Sequence, residues 1–409
     1  MEKTLAEMLD EYMRLQIVAN DHQIRAVISF ASHIDIDLLN ISIKKTFSVI
    51  PILNSCFSAT KRVHYWLPQT NDFNRYIFIH KANAAYDLKQ FLSIIPDEKG
   101  PQITFQVIRN EKNDLLIVTV NHMTMDGTGF KSYLYFLAGV YSGKKLEVQC
   151  RDRRIETLLK NISLASKIKT VLRSTERRSK NNLVENIGNP VLTSLFLFKI
   201  THDEYVKIKG YCNTYDVTIN DFIISLFTKA IFVVKKELFN DITIQVMFDL
   251  RRYADKYSVS EYGNFASMES ITIHNNGEFS DILIEIHKSM NKLKAGFPGI
   301  KNIVLMHLAF SLLPLKTFNS LLTTKIMSFN TSTSNLGVID HKKLQFSGIT
   351  VNDAYLLTSV KKQPAVQLSF STFQESITLS ILGKYSEENT TVLKNVFKMM
   401  KEILSEIIK

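Results

Sequence analysis

A short apolar stretch followed at once by a polar turn constrains this chain more than any other feature. Residues 115–120 (LLIVTV) are six branched side chains in a row, the pattern of a strand buried on both faces. His122 follows that stretch, Asp126 comes four residues later, and Gly127 and Gly129 lead into helical apolar spacing. Loops at the ends of buried strands commonly display reactive groups on a rigid scaffold. We therefore predict strand, turn and helix, with His122 at the end of the strand.

The length and composition are those of a folded chain with room for two domains. The 409 residues are 45% hydrophobic and 22% charged, and domains of about 200 residues are usual at this length. Residues 1–15 have the pattern of an amphipathic helix and lack the basic start and apolar core of a signal peptide. The longest apolar stretch, residues 303–315, is too short to span a bilayer and is predicted to form a buried helix, with a membrane-touching or acyl-chain-lining helix as the alternative.

The cysteines and histidines indicate neither a disulfide framework nor a metal site. Cys56, Cys150 and Cys212 are far apart and form no C-x-x-C pair, which favours a reducing compartment. The ten histidines include no metal-ligand spacing such as H-E-x-x-H. We therefore predict a cytoplasmic protein without a bound metal.

Strand and helix patterns alternate along the chain, which predicts an α/β fold with mixed sheets. Residues 176–190 are polar and end in Gly-Asn-Pro, the pattern of a linker. We predict an N-terminal lobe over residues 1–175 and a C-terminal lobe over residues 191–409. A basic helix is expected over residues 155–172 and a long apolar one over residues 300–321.

The turn after the central strand resembles a known active-site signature. The spacing His122-x-x-x-Asp126-Gly127 is similar to the H-x-x-x-D-G motif of the thioester-dependent acyltransferase superfamily. That superfamily includes chloramphenicol acetyltransferase, the condensation domains of peptide synthetases, plant BAHD acyltransferases and bacterial alcohol or wax-ester acyltransferases. Residues 50–53 (IPIL) also resemble the turn that opens condensation domains, although Asn54 stands where those domains carry an arginine.

The resemblance implies a fold and a site. The fold is α/β, with two chloramphenicol-acetyltransferase-like lobes that form a pseudo-dimer around an active-site channel. His122 would be the catalytic base, since an imidazole with a pKa of about 6.5 is mostly neutral at pH 7. Asp126 would be structural, because a buried carboxylate needs a cationic partner. Within residues 249–252 (DLRR), Arg251 is the first candidate for that partner and Arg252 the second.

The same resemblance assigns further residues to the site. Gly127 would permit a close approach that a side chain blocks. Asn121 stands where condensation domains carry a second histidine, which favours free-standing acyltransferases. Residues 328–337 (SFNTSTSNLG) resemble the S-N-x-G stretch of ester-forming members, so Ser334 and Asn335 are candidates to hold the oxyanion. A polar strand edge that ends in a glycine has the same composition, and this alternative stays open.

The positive charge is concentrated in one segment. The chain has a net charge of +11, and residues 144–180 hold twelve lysines and arginines against four acids. Two interpretations stay open: a solvated connecting helix, or a landing site for the phosphates of coenzyme A or for an acidic carrier protein. Nucleic acid is not expected as a partner, because no aromatic residues are interleaved with these charges.

The predicted function is transfer of an acyl group from a thioester to a hydroxyl group. The donor would be acyl-CoA or an acyl carrier protein with its phosphopantetheine thioester, and the acceptor a small-molecule alcohol or amine. The alternatives are an amide-forming stand-alone condensation domain and a non-catalytic binding module. A nucleotide loop at Gly127 and Gly129 is not supported, because its third glycine is missing. We expect a monomer without a permanent cofactor, with peripheral membrane contact as a weaker alternative.

Overall fold

The computed structural model describes residues 3–60, 63–69, 76–81, 87–92, 95, 98–145, 152–173, 177–188, 192–326 and 330–409. Five sequence predictions fall wholly or partly outside these residues: Cys150, stretches of the basic segment, the two ends of the linker, the first two residues of the N-terminal helix, and residues 328–329 of the stretch 328–337. The fold is described below from the remaining residues alone.

The described residues form eleven α-helices, several of which begin at a capping residue. They are α1 (Met8–Leu15), α2 (Ile36–Val49), α3 (Gly127–Tyr141), α4 (Ile155–Leu159), α5 (Leu164–Leu172), α6 (His202–Thr214), α7 (Ile219–Lys235), α8 (Phe279–Lys294), α9 (Ile300–Leu312), α10 (Leu315–Ile326) and α11 (Glu387–Ile407). Asp35, Thr201 and Thr218 accept hydrogen bonds from the first turns of α2, α6 and α7, which satisfies backbone donors that a helix leaves free.

The described strands form three sheets. They are β1 (Thr4–Leu5), β2 (Gln23–Phe30), β3 (Ser55–Ala59), β4 (His64–Pro68), β5 (Ile77–Lys81), β6 (Ile103–Arg109), β7 (Asp114–Asn121), β8 (Leu192–Ile200), β9 (Asp241–Asp249), β10 (Ala266–His274), β11 (Thr331–Ile339), β12 (Val351–Leu357), β13 (Lys361–Lys362), β14 (Val366–Phe373) and β15 (Ser376–Tyr385). The small sheet has the order β1-β4-β3, and the other strands form two larger sheets.

The first large sheet has the order β12-β2-β7-β6-β5, with β7 in its centre. All eight residues of β7 are buried, as the apolar stretch predicts. One face packs on α2 and α3 through residues such as Val118, Phe130 and Leu137. The other face packs on residues near the end of the chain, among them Leu382, through Ile117. The strand that leads to His122 is therefore fixed from both sides.

The second large sheet has the order β10-β9-β11-β14-β15-β13, with β8 also paired to β15. Helices α7, α8 and α11 pack on it around a core that includes Phe227, Ile286 and Leu393. Its strands run both parallel and antiparallel. The predicted α/β fold with mixed sheets is confirmed in both lobes.

One strand crosses between the lobes. Strand β12 lies in the predicted C-terminal lobe, yet it pairs antiparallel with β2 and forms an edge of the first lobe's sheet. Residues that flank it, such as Leu344 and Phe346, belong to the first lobe's core. The division at residues 176–190 stays a prediction. The structure shows that the segment after it contributes one strand, β12, to the first sheet.

Two predicted long helices are interrupted. The helix predicted over residues 300–321 is wrong as a single element, because α9 ends at Leu312 and α10 begins at Leu315. Leu313 has extended backbone angles, which a following proline favours by steric clash. The basic helix predicted over residues 155–172 is likewise divided into α4 and α5, with Ser163 capping the second.

In the described residues, no single helix has both the length and the apolar composition needed to cross a bilayer. Helices α6 and α7 meet such a test only when they are taken together, and they are bent by 99° against each other. The prediction that residues 303–315 form a buried helix is wrong for one side of α9. Ile303 and Met306 are buried, whereas Leu305, Leu308 and Leu312 are exposed.

Candidate active site

The end of β7 places His122 in a tight, buried turn. Thr124 donates its backbone N–H to the carbonyl of Asn121 over 3.0 Å, and its hydroxyl donates to the same oxygen. The turn ends at Asp126, whose side chain accepts a hydrogen bond from Gly129 N–H and caps α3. A buried strand and a capped helix thus hold the turn at both ends.

The backbone of His122 is held on both sides by residues far away in sequence. Its N–H donates to the carbonyl of His22 over 2.8 Å, and its carbonyl accepts from Asn264 Nδ2 over 3.0 Å. Among the described residues, none forms a hydrogen bond with its buried Nδ1. The main chain at this position is therefore fixed, while the Nδ1 atom of the imidazole is not committed to a structural hydrogen bond.

The surroundings of His122 keep its ring neutral. Burial lowers the pKa of His122 to about 4, the interaction of the ring with its own backbone and the nearby Asp126 oppose this, and the charges of Lys361 and His22 add to the lowering. Because desolvation disfavours the charged form of an imidazole, the ring stays unprotonated across the neutral range. A neutral imidazole is the form that accepts a proton.

Asp126 is fully occupied by structural hydrogen bonds. Its carboxylate accepts from Gly129 N–H over 2.8 Å, from Phe265 N–H over 2.6 Å and from Arg251 Nη1 over 2.8 Å. Burial by itself raises the pKa of Asp126, but Arg251 and the two backbone donors outweigh it and leave the pKa below its usual value. A carboxylate held in this way is poorly suited to relay a proton.

Arg251 ties the motif to the second lobe. It lies in a short 3₁₀ turn, Leu250–Tyr253, directly after β9. Besides Asp126, its guanidinium donates to the carbonyl of Gly263 over 2.7 Å and to Asp249 Oδ1 over 3.1 Å. Arg252, the second candidate, is exposed and stacks on Tyr253. The structure thus brings Asp126 together with Arg251 and not with Arg252.

The two glycines lie where the second lobe approaches α3. A Cβ on Gly127 would lie 2.8 Å from Leu336 Cδ2, and a Cβ on Gly129 would lie 2.7 Å from the carbonyl oxygen of Gly263. The second contact is with backbone, which cannot move aside as a leucine side chain can. The close packing of the second lobe on α3 therefore requires glycine more strictly at position 129 than at position 127.

Asn121 braces the turn from inside the sheet. Its Nδ2 donates to Gln102 Oε1 over 2.8 Å, and its Oδ1 accepts from Met123 N–H over 2.9 Å. The carbonyls of Met123 and Thr124 both accept from Arg153 Nη2. The side chain at position 121 therefore supports the loop.

Sequence reasoning did not find Gln102, Arg153 and Asn264, which hold the His122 loop. Arg153 lies in the basic segment, where it pairs with Asp10 over 2.8 Å and contacts the loop at the same time. Nothing in the sequence separates it from its solvated neighbours. Asn264 follows Tyr262 and Gly263 before β10, and no role was predicted for it from the sequence.

Ser334 and Asn335 lie on β11, whose pairing with β14 is irregular between Asn335 and Val338. The next part of β11 reaches the start of α3, where Leu336 faces Gly127. Asn335 already makes two hydrogen bonds, from Gly337 N–H and to Asn220 Oδ1. Ser334 is buried. Their role at an oxyanion stays a prediction.

Three neighbouring cavities share one lining residue, and their volumes are about 150, 30 and 60 Å³. Met268 lines all three, and Lys361 lines the third together with Ser332 and Gln367. Burial lowers the pKa of Lys361 to about 8, against the effect of Asp21. His122 lines none of these cavities, although part of its surface is exposed.

Comparison with known proteins gives one family match and many structural ones. Residues 263–407 match the family model described as WS/DGAT C-terminal domain. No curated protein sequence matches the chain. The first residues of the family match, Gly263 and Asn264, are those that bond Arg251 and His122.

The solved structures that resemble the chain cover nearly all of it at low identity. The condensation domain of the monacolin K polyketide synthase MokA has a TM-score of 0.70 at 10% identity, covering 99% of this chain and 98% of its own. A point mutant of the starter condensation domain of rhizomide synthetase RzmA, in complex with C8-CoA, has a TM-score of 0.69 at 12% identity, with coverages of 98% and 94%. The epimerization domain from the third module of tyrocidine synthetase B has a TM-score of 0.65 at 13% identity, with coverages of 99% and 98%.

Over nearly its whole length the chain has the fold of condensation domains, and together with the family match this supports a relation to the superfamily of condensation domains and acyltransferases. This confirms the resemblance seen in the sequence and the fold class it implies, whereas the division into lobes at residues 176–190 and the active-site channel stay predictions. The C-terminal part of the chain, residues 263–407, is similar to the corresponding domain of the WS/DGAT family.

Proposed function

We propose that the protein is an acyltransferase that moves an acyl group from a thioester to a hydroxyl group, with His122 as general base. The family match and the condensation-domain fold support acyl transfer in general. The observation that carries the finer proposal is the state of His122. Its main chain is bonded on both sides, its ring is neutral at pH 7, and its buried Nδ1 makes no hydrogen bond within the described residues.

The reaction needs no covalent enzyme intermediate, because a thiolate leaves readily. The imidazole of His122 takes the proton of the acceptor hydroxyl as its oxygen attacks the acyl carbonyl carbon. The new C–O bond gives a tetrahedral oxyanion, which collapses with loss of the C–S bond. The proton held by His122 passes to the departing thiolate, so the base is regenerated without an outside acid.

The donor we propose is acyl-CoA or a carrier-bound phosphopantetheine thioester. The 150 Å³ cavity is lined by Arg173, Arg178, Lys292 and Lys301, and among the described residues Glu269 is the one acid in its lining. Two of these cations come from the basic segment, and a cluster of positive charge is suited to phosphate groups. The rhizomide domain, which has a similar fold, was solved in complex with C8-CoA, which supports a donor of this class.

A hydroxyl acceptor is favoured over an amine by the family match. The WS/DGAT model covers Gly263 and Asn264, which bond Arg251 and His122. Asn121 also hydrogen-bonds within the turn, where condensation domains carry a second histidine. The amide-forming alternative is supported by the condensation-domain fold. A non-catalytic binding module is disfavoured by the uncommitted imidazole nitrogen of His122.

Thiol release tests the proposal directly. The purified protein would be mixed with acyl-CoAs of increasing chain length, with and without a panel of alcohols and amines. His122→Ala is the test variant. His202→Ala, which changes an exposed histidine of α6, is the matched control.

We expect release that requires both an alcohol and His122 and that survives in the control. Release that requires an amine instead would establish the amide-forming alternative. If no coenzyme A ester releases a thiol, the assay is repeated with acyl-loaded carrier proteins. If these release none either, the proposed acyl transfer is refuted and the protein is a non-catalytic binding module.

A further inference from the structure

The outer sides of two neighbouring helices carry exposed aliphatic side chains. On α5, Leu164, Ile168 and Leu172 recur every four residues and are 72%, 50% and 77% exposed, so they share one side of the helix. On α9, the exposed side chains are Leu305, Leu308 and Leu312. We call these six residues the aliphatic face.

The two halves of the aliphatic face are continuous. Helices α5 and α9 border an open groove of about 490 Å³, lined by Leu164, Ile168 and Leu172 from one side and by Val304 and Leu308 from the other. Single exposed aliphatic residues are ordinary, but a contiguous group of this kind marks an interaction surface.

Positive charge surrounds the aliphatic face. Lys160 and Lys167 line the groove, and Lys169 is exposed near the end of α5. Glu156 is the one acid among the groove residues, and His307 lies 3.4 Å from it. Cations that flank projecting aliphatic side chains are the pattern of a surface that binds anionic lipid bilayers.

We propose that the aliphatic face binds the surface of an anionic lipid bilayer. The leucines would enter the boundary between headgroups and acyl chains, while the lysines contact lipid phosphates. A second copy of the chain is a poorer partner, because its own cations would meet these across the interface. A folded carrier protein would need a matching recess for each projecting leucine, whereas a bilayer needs none. This goes beyond the acyl transfer proposed above and does not depend on it.

The same helices also line the interior cavities. Thr170 of α5, the adjacent Arg173 and Asn302 of α9 line the 150 Å³ cavity, and Ile303 and Met306 line the 30 Å³ cavity. When the protein is bound to a bilayer through the aliphatic face, helices α5 and α9 would therefore lie between these cavities and the lipid.

Vesicle flotation tests the proposal with the intact protein. One set of vesicles is an equimolar mixture of phosphatidylcholine and phosphatidylglycerol, and the other is phosphatidylcholine alone. Leu172→Glu is the test variant, and Leu238→Glu is its matched control, because Leu238 is also 77% exposed but lies shortly after the end of α7. Lys167→Glu tests the charge.

We expect the wild type to float with the anionic vesicles and to bind them less at high salt. Leu172→Glu should weaken this binding by about tenfold or more, and Lys167→Glu by about fivefold or more. Leu238→Glu should bind as the wild type does. Far-UV circular dichroism would show that each variant is folded.

Three outcomes would overturn the proposal. They are an absence of flotation with anionic vesicles, equal binding to both vesicle types, and equal losses from Leu172→Glu and Leu238→Glu. Light scattering that shows a dimer abolished by Leu172→Glu, without vesicle binding, would assign the face to a second copy. Thiol release with water-soluble substrates should be unchanged in Leu172→Glu, which separates this test from that of the proposed activity.

Discussion

Replacing Asp126 by alanine should destabilise the protein, because it leaves a largely buried arginine without its main counter-ion. The Arg251 side chain is 15% exposed, and the carboxylate it would lose lies 2.8 Å away. The same change removes the hydrogen-bond acceptor of Gly129 N–H and Phe265 N–H. Arg251 would keep Asp249, at 3.1 Å and 39% exposed, and the backbone carbonyls of Gly263, Ser260 and Glu261.

The size of the loss follows from these contacts. Breaking a buried ion pair by removing one partner costs about 3–5 kcal/mol, and the nearby Asp249 places our expectation at the lower end. For 409 residues, an unfolding entropy of about 2.1 cal/mol/K per residue gives about 0.9 kcal/mol/K. If the chain unfolds as one unit, the Tm should therefore fall by about 3–6 °C.

The matched control is Asp249→Ala, which removes the exposed partner of the same arginine and a backbone contact to Arg251 N–H. Its cost should be about 1 kcal/mol or less, so its Tm should fall by about 1 °C. Differential scanning calorimetry measures both variants. A Tm for Asp126→Ala equal to the wild-type value, with activity lost, would refute the reasoning and give Asp126 a direct part in the chemistry.

The remaining predictions concern the turn and the first residues of α3. His122→Ala should lower kcat by about 10²–10⁴-fold with an unchanged Tm, as is usual when a general base is lost, and thiol release measures it. Because burial lowers the pKa of His122 to about 4, kcat/KM should fall with decreasing pH only near pH 4 and not near pH 6.5. Lys361→Met removes a charge that lowers this pKa, so the fall in kcat/KM should occur at a higher pH in that variant. For the same reason, the unfolded chain binds a proton between pH 6.5 and 4 that the folded chain does not, so this group's stability contribution declines as the pH falls through that range. Gly129→Ala should cost about 1–3 kcal/mol in urea unfolding, because its Cβ would meet a backbone carbonyl at 2.7 Å. Gly210→Ala, on a helix with open space around it, should instead be neutral or stabilising, and an equal cost at both positions would contradict the packing argument.

The elements around His122 could be predicted from the sequence because their signals are local. A run of branched residues, a capping aspartate and a helical apolar period all act within a few residues of the turn. The same holds for α2, α6 and α7, which begin after Asp35, Thr201 and Thr218. The fold then followed from the resemblance.

The residues that hold the loop in place could not be predicted in this way. Gln102, Arg153 and Asn264 act through hydrogen bonds that exist only after distant segments have come together. Arginines of the basic segment look alike in the sequence, although Arg153 is paired with Asp10 and its neighbour Arg154 is exposed. Such distinctions depend on tertiary contacts and leave no pattern of spacing.

The exposed side of α9 was missed for a different reason. An apolar stretch of this length is compatible with a buried helix and with a helix that has one side covered by another partner. Ile303 and Met306 are buried, as in a core helix, whereas Leu308 and Leu312 on the other side of α9 are exposed. Hydrophobicity alone does not say what covers a surface.

Strand β12, which the C-terminal part of the chain contributes to the first sheet, affects how the chain folds as it is synthesised. Strand β2 pairs with β12 along one side, and β12 begins about 230 residues after the end of β7. At about 5–20 residues per second, translation supplies that partner roughly 12–46 s after Asn121 has been added. During this interval β2 presents unpaired backbone groups, which other chains can bind. Most strands of the sheet that carries His122 are therefore synthesised early. The sheet is complete only after residue 357 has been added.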